Sequence, residues 1–272
     1  HALGYSGANS HKDSGHDIWY EVHPENYMVD GGPRLSWLEE FSNNYPISFH
    51  GIGASLGGLD PFCDRHLKNL KALIDRFNPA QVSEHATWSS FEGEYFADLL
   101  PLPRTRAAED HMVERIDAFQ SAIGRRILIE NPTNYMRANT DLGEPEFLSQ
   151  IAKRAGCGLL MDVNNIYISA VNTGIDARAY IKAIAPDLVG EIHIAGHHAD
   201  KAAGAALLID THSAPVADPV WELLEFALAH LGPKPVLLER DGEIPSFETL
   251  LGEHERASQC LARASENVQA PC

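Results

Sequence analysis

The chain has 272 residues, 44% hydrophobic and 22% charged, with a formal net charge of −17. That composition excludes a disordered chain and supplies apolar surface for one large core. The acidic surface argues against nucleic acid as a partner, and no run of about 18 apolar residues is present to span a membrane.

The sequence opens at His1 without Met, and no signal peptide is visible. Cys63, Cys157, Cys260 and Cys272 form no C-x-x-C pair and read as reduced thiols of a cytoplasmic protein. Apolar, β-branched runs then alternate with helical patterns. DIWYEVHPENY (17–27) and PISFHGIG (46–53) are strand-like, and the spacing of RHLKNLKALIDRF (65–77) predicts a helix. AQVSEHATW (80–88) is a strand, 108–123 a helix, RRILIENP (125–132) a strand, and 144–156 a helix closed by Gly156. CGLLMDVNNIY (157–167) reads as a strand and 176–185 as a helix. LVGEIHIAGH (188–197) is a strand, ALLIDTH a short extended piece, 218–232 a helix, KPVLLERDG (234–242) a strand and 246–266 the closing helix.

Strands alternating with helices imply a parallel sheet with helical crossovers. Seven clear strands over this length predict a single-domain α/β TIM (β/α)8 barrel, residues 1–272, with the first strand degenerate or missing. No Gly-rich nucleotide turn supports an open doubly wound sheet.

In such a barrel, functional residues sit where strands end. The predicted ends supply His50, then Glu84-His85, Glu130, Asp162, His193 and Glu239, and the extended piece supplies Asp210 and His212. Carboxylates crowded at one rim repel each other, and divalent cations relieve that; imidazole with carboxylate suits Fe, Zn or Mn. The set is too large for one tetrahedral zinc, so two or three metals are expected. Neighbours on a strand point to opposite faces, so of Glu84 and His85 only His85 is expected to face the rim.

The blocks EVHPENYM, SFHGIGASLGG, VSEHATWS, ILIENPTNY, LLMDVNNIYIS, GEIHIAGH, LLIDTHSAPVADPVW and LLERDGEIP, in this order, resemble the multinuclear non-heme iron-dependent oxidative enzymes over about Trp19 to Pro245. That resemblance implies a TIM barrel holding two or three irons, mixed-valence Fe(II)/Fe(III), with O2 as co-substrate. It also implies oxidation of a cysteine or another residue in a ribosomally made precursor peptide, and a small partner protein that delivers the peptide.

By position, His50, His85 and Glu130 are assigned to one metal. Glu130, Asp162, His193 and Glu239 are assigned to a second, and Asp210 with His212 to a third. Asp162, His193 and Glu239 are the expected catalytic ligands. The ligand order also resembles endonuclease IV and xylose isomerase-like barrels, where a His stands in place of Asn165, which weakens the third position. Substrate contacts are expected from Asn26, Asn131, Asn164, His197 and Arg240, while Glu21 is either a supporting or a plain hydrogen-bonding residue. Two rivals remain. One is a Zn- or Mn-dependent hydrolase or isomerase. The other, fitting less well because thiolate ligands are missing, is a metal-storage or metal-sensing protein.

Overall fold

The computed structural model of the protein describes residues 2–5, 18–137 and 140–269; Asp17 of the first predicted strand and Cys272 lie outside them. In chain order the elements are β1 (Ala2–Tyr5), β2 (Ile18–Val22), α1 (Pro33–Asn44), β3 (Ile47–Gly51), α2 (Asp64–Phe77), β4 (Gln81–His85), β5 (Trp88–Phe91), β6 (Glu94–Leu100), α3 (Arg106–Ile123), β7 (Leu128–Glu130) and α4 (Glu144–Ala155). There follow β8 (Gly158–Asp162), α5 (Val163–Thr173), α6 (Ala177–Lys182), β9 (Val189–Ala195), β10 (His197–Asp200), β11 (Gly204–Asp210), α7 (Asp218–Leu231), β12 (Val236–Glu239) and α8 (Phe247–Gln269). The strand order β1-β12-β9-β8-β7-β4-β3-β2 is that of a closed barrel, and β5-β6 and β10-β11 are separate two-stranded sheets. All seven strands read from the sequence are present. A short β1 also exists, and it runs antiparallel to β12.

The chain divides into two compact units. One comprises residues 20–132 and 139–159. Its parallel ladders pair Tyr20 with Ile47, His50 with Ser83 and His85 with Glu130, which puts the polar ends of β3, β4 and β7 side by side. Met112, Ile116 and Phe119 form the buried apolar stripe of α3, with Phe119 against Phe62 at 5.6 Å. Thr105 caps that helix by accepting from the Ala108 amide at 3.2 Å, and Gly124 ends it at φ +71°. Arg115 of α3 donates to the carbonyls of Leu56 at 3.2 Å and Asp60 at 2.9 Å while lying 3.4 Å over the Phe62 ring. The loop after β3 is thereby tied down from below.

The other unit comprises residues 1–19, 133–138 and 160–272. Here β12 pairs in parallel with β9, Leu237 opposite His193. The predicted strand 157–167 stops at Asp162. Asp162 accepts from the Asn165 amide at 2.6 Å, caps α5, and turns the chain into a helix buried on most sides. The extended piece ALLIDTH is the return strand of a hairpin, His197 opposite Asp210.

Candidate functional site

In the first unit β3 ends in His50, β4 in Glu84-His85, and β7 in Glu130, all buried. The Nε2 atoms of His50 and His85 stand 3.2 Å apart, at 3.2 and 2.9 Å from Glu130 Oε2. The opposite ring atoms are engaged. His85 Nδ1 lies 3.0 Å from the Gly51 carbonyl, and His50 Nδ1 lies 2.7 Å from Ser83 Oγ. A carbonyl only accepts, so His85 donates from Nδ1, and in the neutral ring the lone pair of Nε2 faces Glu130.

Glu84 points elsewhere, as strand alternation requires. Its carboxylate accepts from the amides of Ala54 and His85, each at 2.8 Å. Glu21 likewise accepts from Ser48 Oγ at 2.7 Å.

Charge in this cluster is set by proximity. Burial opposes protonation of His85, but Glu130 and Glu84 outweigh it and hold the ring well above its ordinary pKa of 6.5. Burial and the His85 ring oppose protonation of His50, yet Glu130 lifts it too. Glu130 is driven the other way: burial resists its charge, and the two rings overcome that.

In the second unit Asp162 and Glu239 end β8 and β12, and His193 lies two residues before the end of β9. Asp162, His212 and Glu239 each offer a ligand atom, all within 4.8 Å of one another. His193 Nδ1 is 3.3 Å from Glu239 Oε2, and its Nε2 is 3.5 Å from Glu191. His212 Nδ1 lies 3.4 Å from Glu239 and 3.1 Å from Asp241; its Nε2 lies 2.8 Å from Asp210.

His212 sits at φ +47°, a left-handed backbone that a branched polar residue adopts at a cost. The amides of Asp241 and Gly242 donate to its carbonyl, at 2.9 and 3.4 Å. Burial opposes charge on the His212 ring, but Glu239 and Asp210 hold its pKa well above 6.5. Burial also resists ionisation of Glu239, and His212 and His193 push it well below its ordinary value.

A polar chain continues from Asp210. Asn164 donates to its Oδ1 at 3.0 Å and Thr133 to its Oδ2 at 3.2 Å; its amide donates to the Tyr135 hydroxyl at 3.2 Å. His197 Nδ1 meets Asn164 Oδ1 at 2.8 Å, and burial lowers the His197 pKa. Asn165 Oδ1 competes with Asp210 for the single proton of the Thr133 hydroxyl.

His50, His85 and Glu130 therefore converge in one unit, and Asp162, His193, Asp210, His212 and Glu239 in the other. Asn164 and His197 join the second group. Asn131 is buried beside Glu130 in sequence, and Asn26 is exposed on a 3-10 turn. Arg240 is drawn to Glu253 of α8 at 2.7 Å. Glu191, Thr133 and Asp241 were not among the expected ligands. Glu191 was findable, because it shares a strand face with His193 two residues on.

These features define an α/β TIM barrel of the xylose isomerase and endonuclease IV type, with buried His and carboxylate groups able to hold metal ions. Endonuclease IV from Thermus thermophilus superposes with a TM-score of 0.56 at 14% identity, over 90% of this chain and 89% of that one. D-psicose 3-epimerase from Clostridium cellulolyticum gives 0.53 at 12% identity, over 94% and 90%.

Sequence similarity is narrower. A UPF0276 protein of Caulobacter sp. strain K31 is 50% identical over 90% of this chain and 88% of its own length. A UPF0276 protein of Bordetella bronchiseptica is 49% identical over 90% and 86%. Residues 6–262 match the family described as RiPP precursor modification enzyme MbnB/TglH/ChrH. The chain belongs to that family of enzymes, which modify ribosomally synthesised precursor peptides. Among the described residues, no helix is long and apolar enough to cross a membrane.

Proposed function

We propose that the protein is a multinuclear iron-dependent oxidase that uses O2 to modify cysteine, or another residue, in a ribosomally made precursor peptide. The observation that carries the metal reading is the meeting of His50 Nε2, His85 Nε2 and Glu130 Oε2 within 3.2 Å. Three electron-rich atoms facing one another repel unless protons or a cation lie between them. Ligands bound at about 2.1 Å stand roughly 3.0–3.4 Å apart, so the spacing suits a metal ion. The donor set of imidazole and carboxylate fits iron.

In the second unit the reading is supported by two imidazole–carboxylate pairs of similar spacing, His193 and His212 at 3.3 and 3.4 Å from Glu239. His212 Nε2 approaches Asp210 at 2.8 Å without the alignment of a hydrogen bond. Asp162, His193, Asp210, His212 and Glu239 would hold metal there, and Asp162, His193 and Glu239 are the residues assigned to catalysis.

Bound iron would supply one-electron chemistry and O2 activation. The protein's own residues position it and keep it dry. Gly51 and Ser83 orient the two imidazoles of the first cluster. Asn164 and Thr133 fix the Asp210 carboxylate, and His197, kept neutral by burial, donates from Nδ1 to Asn164 Oδ1 and so orients that amide. Asn26, Asn131 and Arg240 are weaker assignments as peptide contacts. A small protein that delivers the peptide completes the proposal.

The test is metal analysis of anaerobically purified protein, with Mössbauer spectroscopy on iron-57-grown material. Two or more irons per chain with an exchange-coupled pair, and O2-dependent mass loss in a Cys-containing peptide, are expected. Zinc or manganese persisting after iron-replete growth overturns the oxidative reading in favour of hydrolysis or isomerisation.

A further inference from the structure

The hairpin β5-β6 leaves one edge open. Its β5 side is fastened to the loop after β3. The amides of Ser89 and Ser90 donate to Ser55 Oγ at 2.9 and 3.2 Å, and those of Glu92 and Gly93 donate to Asp60 at 3.1 Å each. The other strand, β6, pairs with β5 alone among the described residues, and Glu94 to Asp98 are exposed along it.

This edge is apolar as well as open. Tyr95 is 61% exposed and Phe96 41%, and the Trp88 ring braces Phe96 edge-on at 5.9 Å. Long exposed edge strands are templates for another chain, and proteins usually blunt them with Lys or Pro. Neither occurs from Trp88 to Leu100. The only charges there are Glu92, Glu94 and Asp98.

Those acids select the occupant. Antiparallel self-pairing centred on Phe96 would set Glu94 of one copy against Asp98 of the other, so a second copy is disfavoured. A strand carrying Lys or Arg at alternate positions is favoured at the same places.

We propose that β6 is the docking edge for an extended, basic and apolar segment of the precursor peptide, which adds as a strand beside Glu94–Leu100. This rests on the reading that the substrate is a peptide. The placement has a functional consequence. Trp88, the first residue of β5, lies three residues beyond His85, so a strand bound there is held on a hairpin rooted at a ligand-bearing strand end.

The experiment uses the full chain, metal-free and iron-loaded. The probe is a fluorescein-labelled peptide of β6's own length that alternates Lys and Val. Anisotropy should show saturable binding to both forms, and hydrogen exchange should show protection of residues 94–100. N-methylation of alternate peptide amides keeps the side chains but removes ladder donors, and should abolish binding. Glu94→Lys with Asp98→Lys, both exposed, should weaken binding about tenfold.

Equal binding of the N-methylated peptide, protection elsewhere, or concentration-dependent dimerisation through β6 overturns the proposal. If the probe fails while coupled iron and peptide oxidation are present, docking alone falls. If the probe binds but the metal is not iron, the oxidative reading alone falls.

Discussion

Gly196 follows β9 three residues after His193 and abuts the loop that follows His212. A Cβ built there would lie 1.8 Å from the Ala214 carbonyl oxygen, 2.4 Å from its carbon and 2.7 Å from the Pro215 oxygen. All three atoms are backbone, so no side chain can swing away. Ordinary contact begins at 3.4 Å, so Gly196→Ala must separate the two segments by about 1.6 Å. Ala214 is two residues past His212, whose ring spans Asp210 and Glu239 at 2.8 and 3.4 Å. Metal–ligand distances tolerate only about 0.2 Å, so the shift removes His212 from any shared centre. The stability cost of such overpacking is about 1–3 kcal/mol, and a misplacement near 1 Å costs on the order of 10²-fold in activity. Bound metal per chain and urea midpoints for wild type and Gly196→Ala provide the assay. Gly252→Ala is the control: it lies within α8 with nothing inside 4 Å, and should stabilise by roughly 0.5–1 kcal/mol. Full metal loading of Gly196→Ala, with stability within about 0.5 kcal/mol of wild type, would refute the reasoning.

Metal-free protein should show a stability maximum set by its buried pairs. The raised pKa values of His85 and His212 contribute stability that is fully present below pH 6.5 and lost as pH climbs through those raised values. The lowered values of Glu130 and Glu239 contribute stability present above pH 4.5 and lost as pH falls through them. Urea midpoints of metal-free protein should therefore peak between pH 4.5 and 6.5, and metal should move the optimum upward, because the cation replaces imidazole protons. A flat profile would count against the clusters. Burial lifts the Cys157 thiol to about 12, while Cys63 is exposed. At about pH 8, iodoacetamide mass mapping should modify Cys63 and leave Cys157 intact until the chain unfolds; early Cys157 modification contradicts its burial. Phe119→Ala, at a fully buried ring 5.6 Å from Phe62, should cost about 3–5 kcal/mol by chemical denaturation.

Seven of the eight barrel strands were legible because each is a short β-branched or apolar run with a polar residue at or near its end, and the same reading, extended to the piece 206–212, named the eight proposed ligands. Helix α5 was not. Its Ile166, Tyr167 and Ile168 look like continued strand, and the deciding signal is the Asp162 cap, visible in sequence only as an Asp. Helix α1 announces itself by Pro33 in its first turn but has only two buried leucines. The hairpin β5-β6 was missed although Trp88, Phe91, Tyr95 and Phe96 are residues that favour strands. Its Glu92-Gly93 turn has positive φ at both residues, +50° and +80°, where hairpins usually carry Asn-Gly or Asp-Gly, so Glu92 hid the turn. Which ligands share a centre was beyond the sequence altogether, because it depends on ring rotation and loop path rather than residue type.

The left-handed backbone of His212 sets backbone strain against side-chain pairing at one position. Glycine would relieve the strain there, worth of order 1–3 kcal/mol. The His212 ring is itself paired with Asp210 and Glu239, so His212→Gly would exchange that strain for two carboxylates deprived of an imidazole partner. Backbone strain and the ion pairs of the ring therefore act in opposite directions at this one position, and the stability change on His212→Gly is the difference between them.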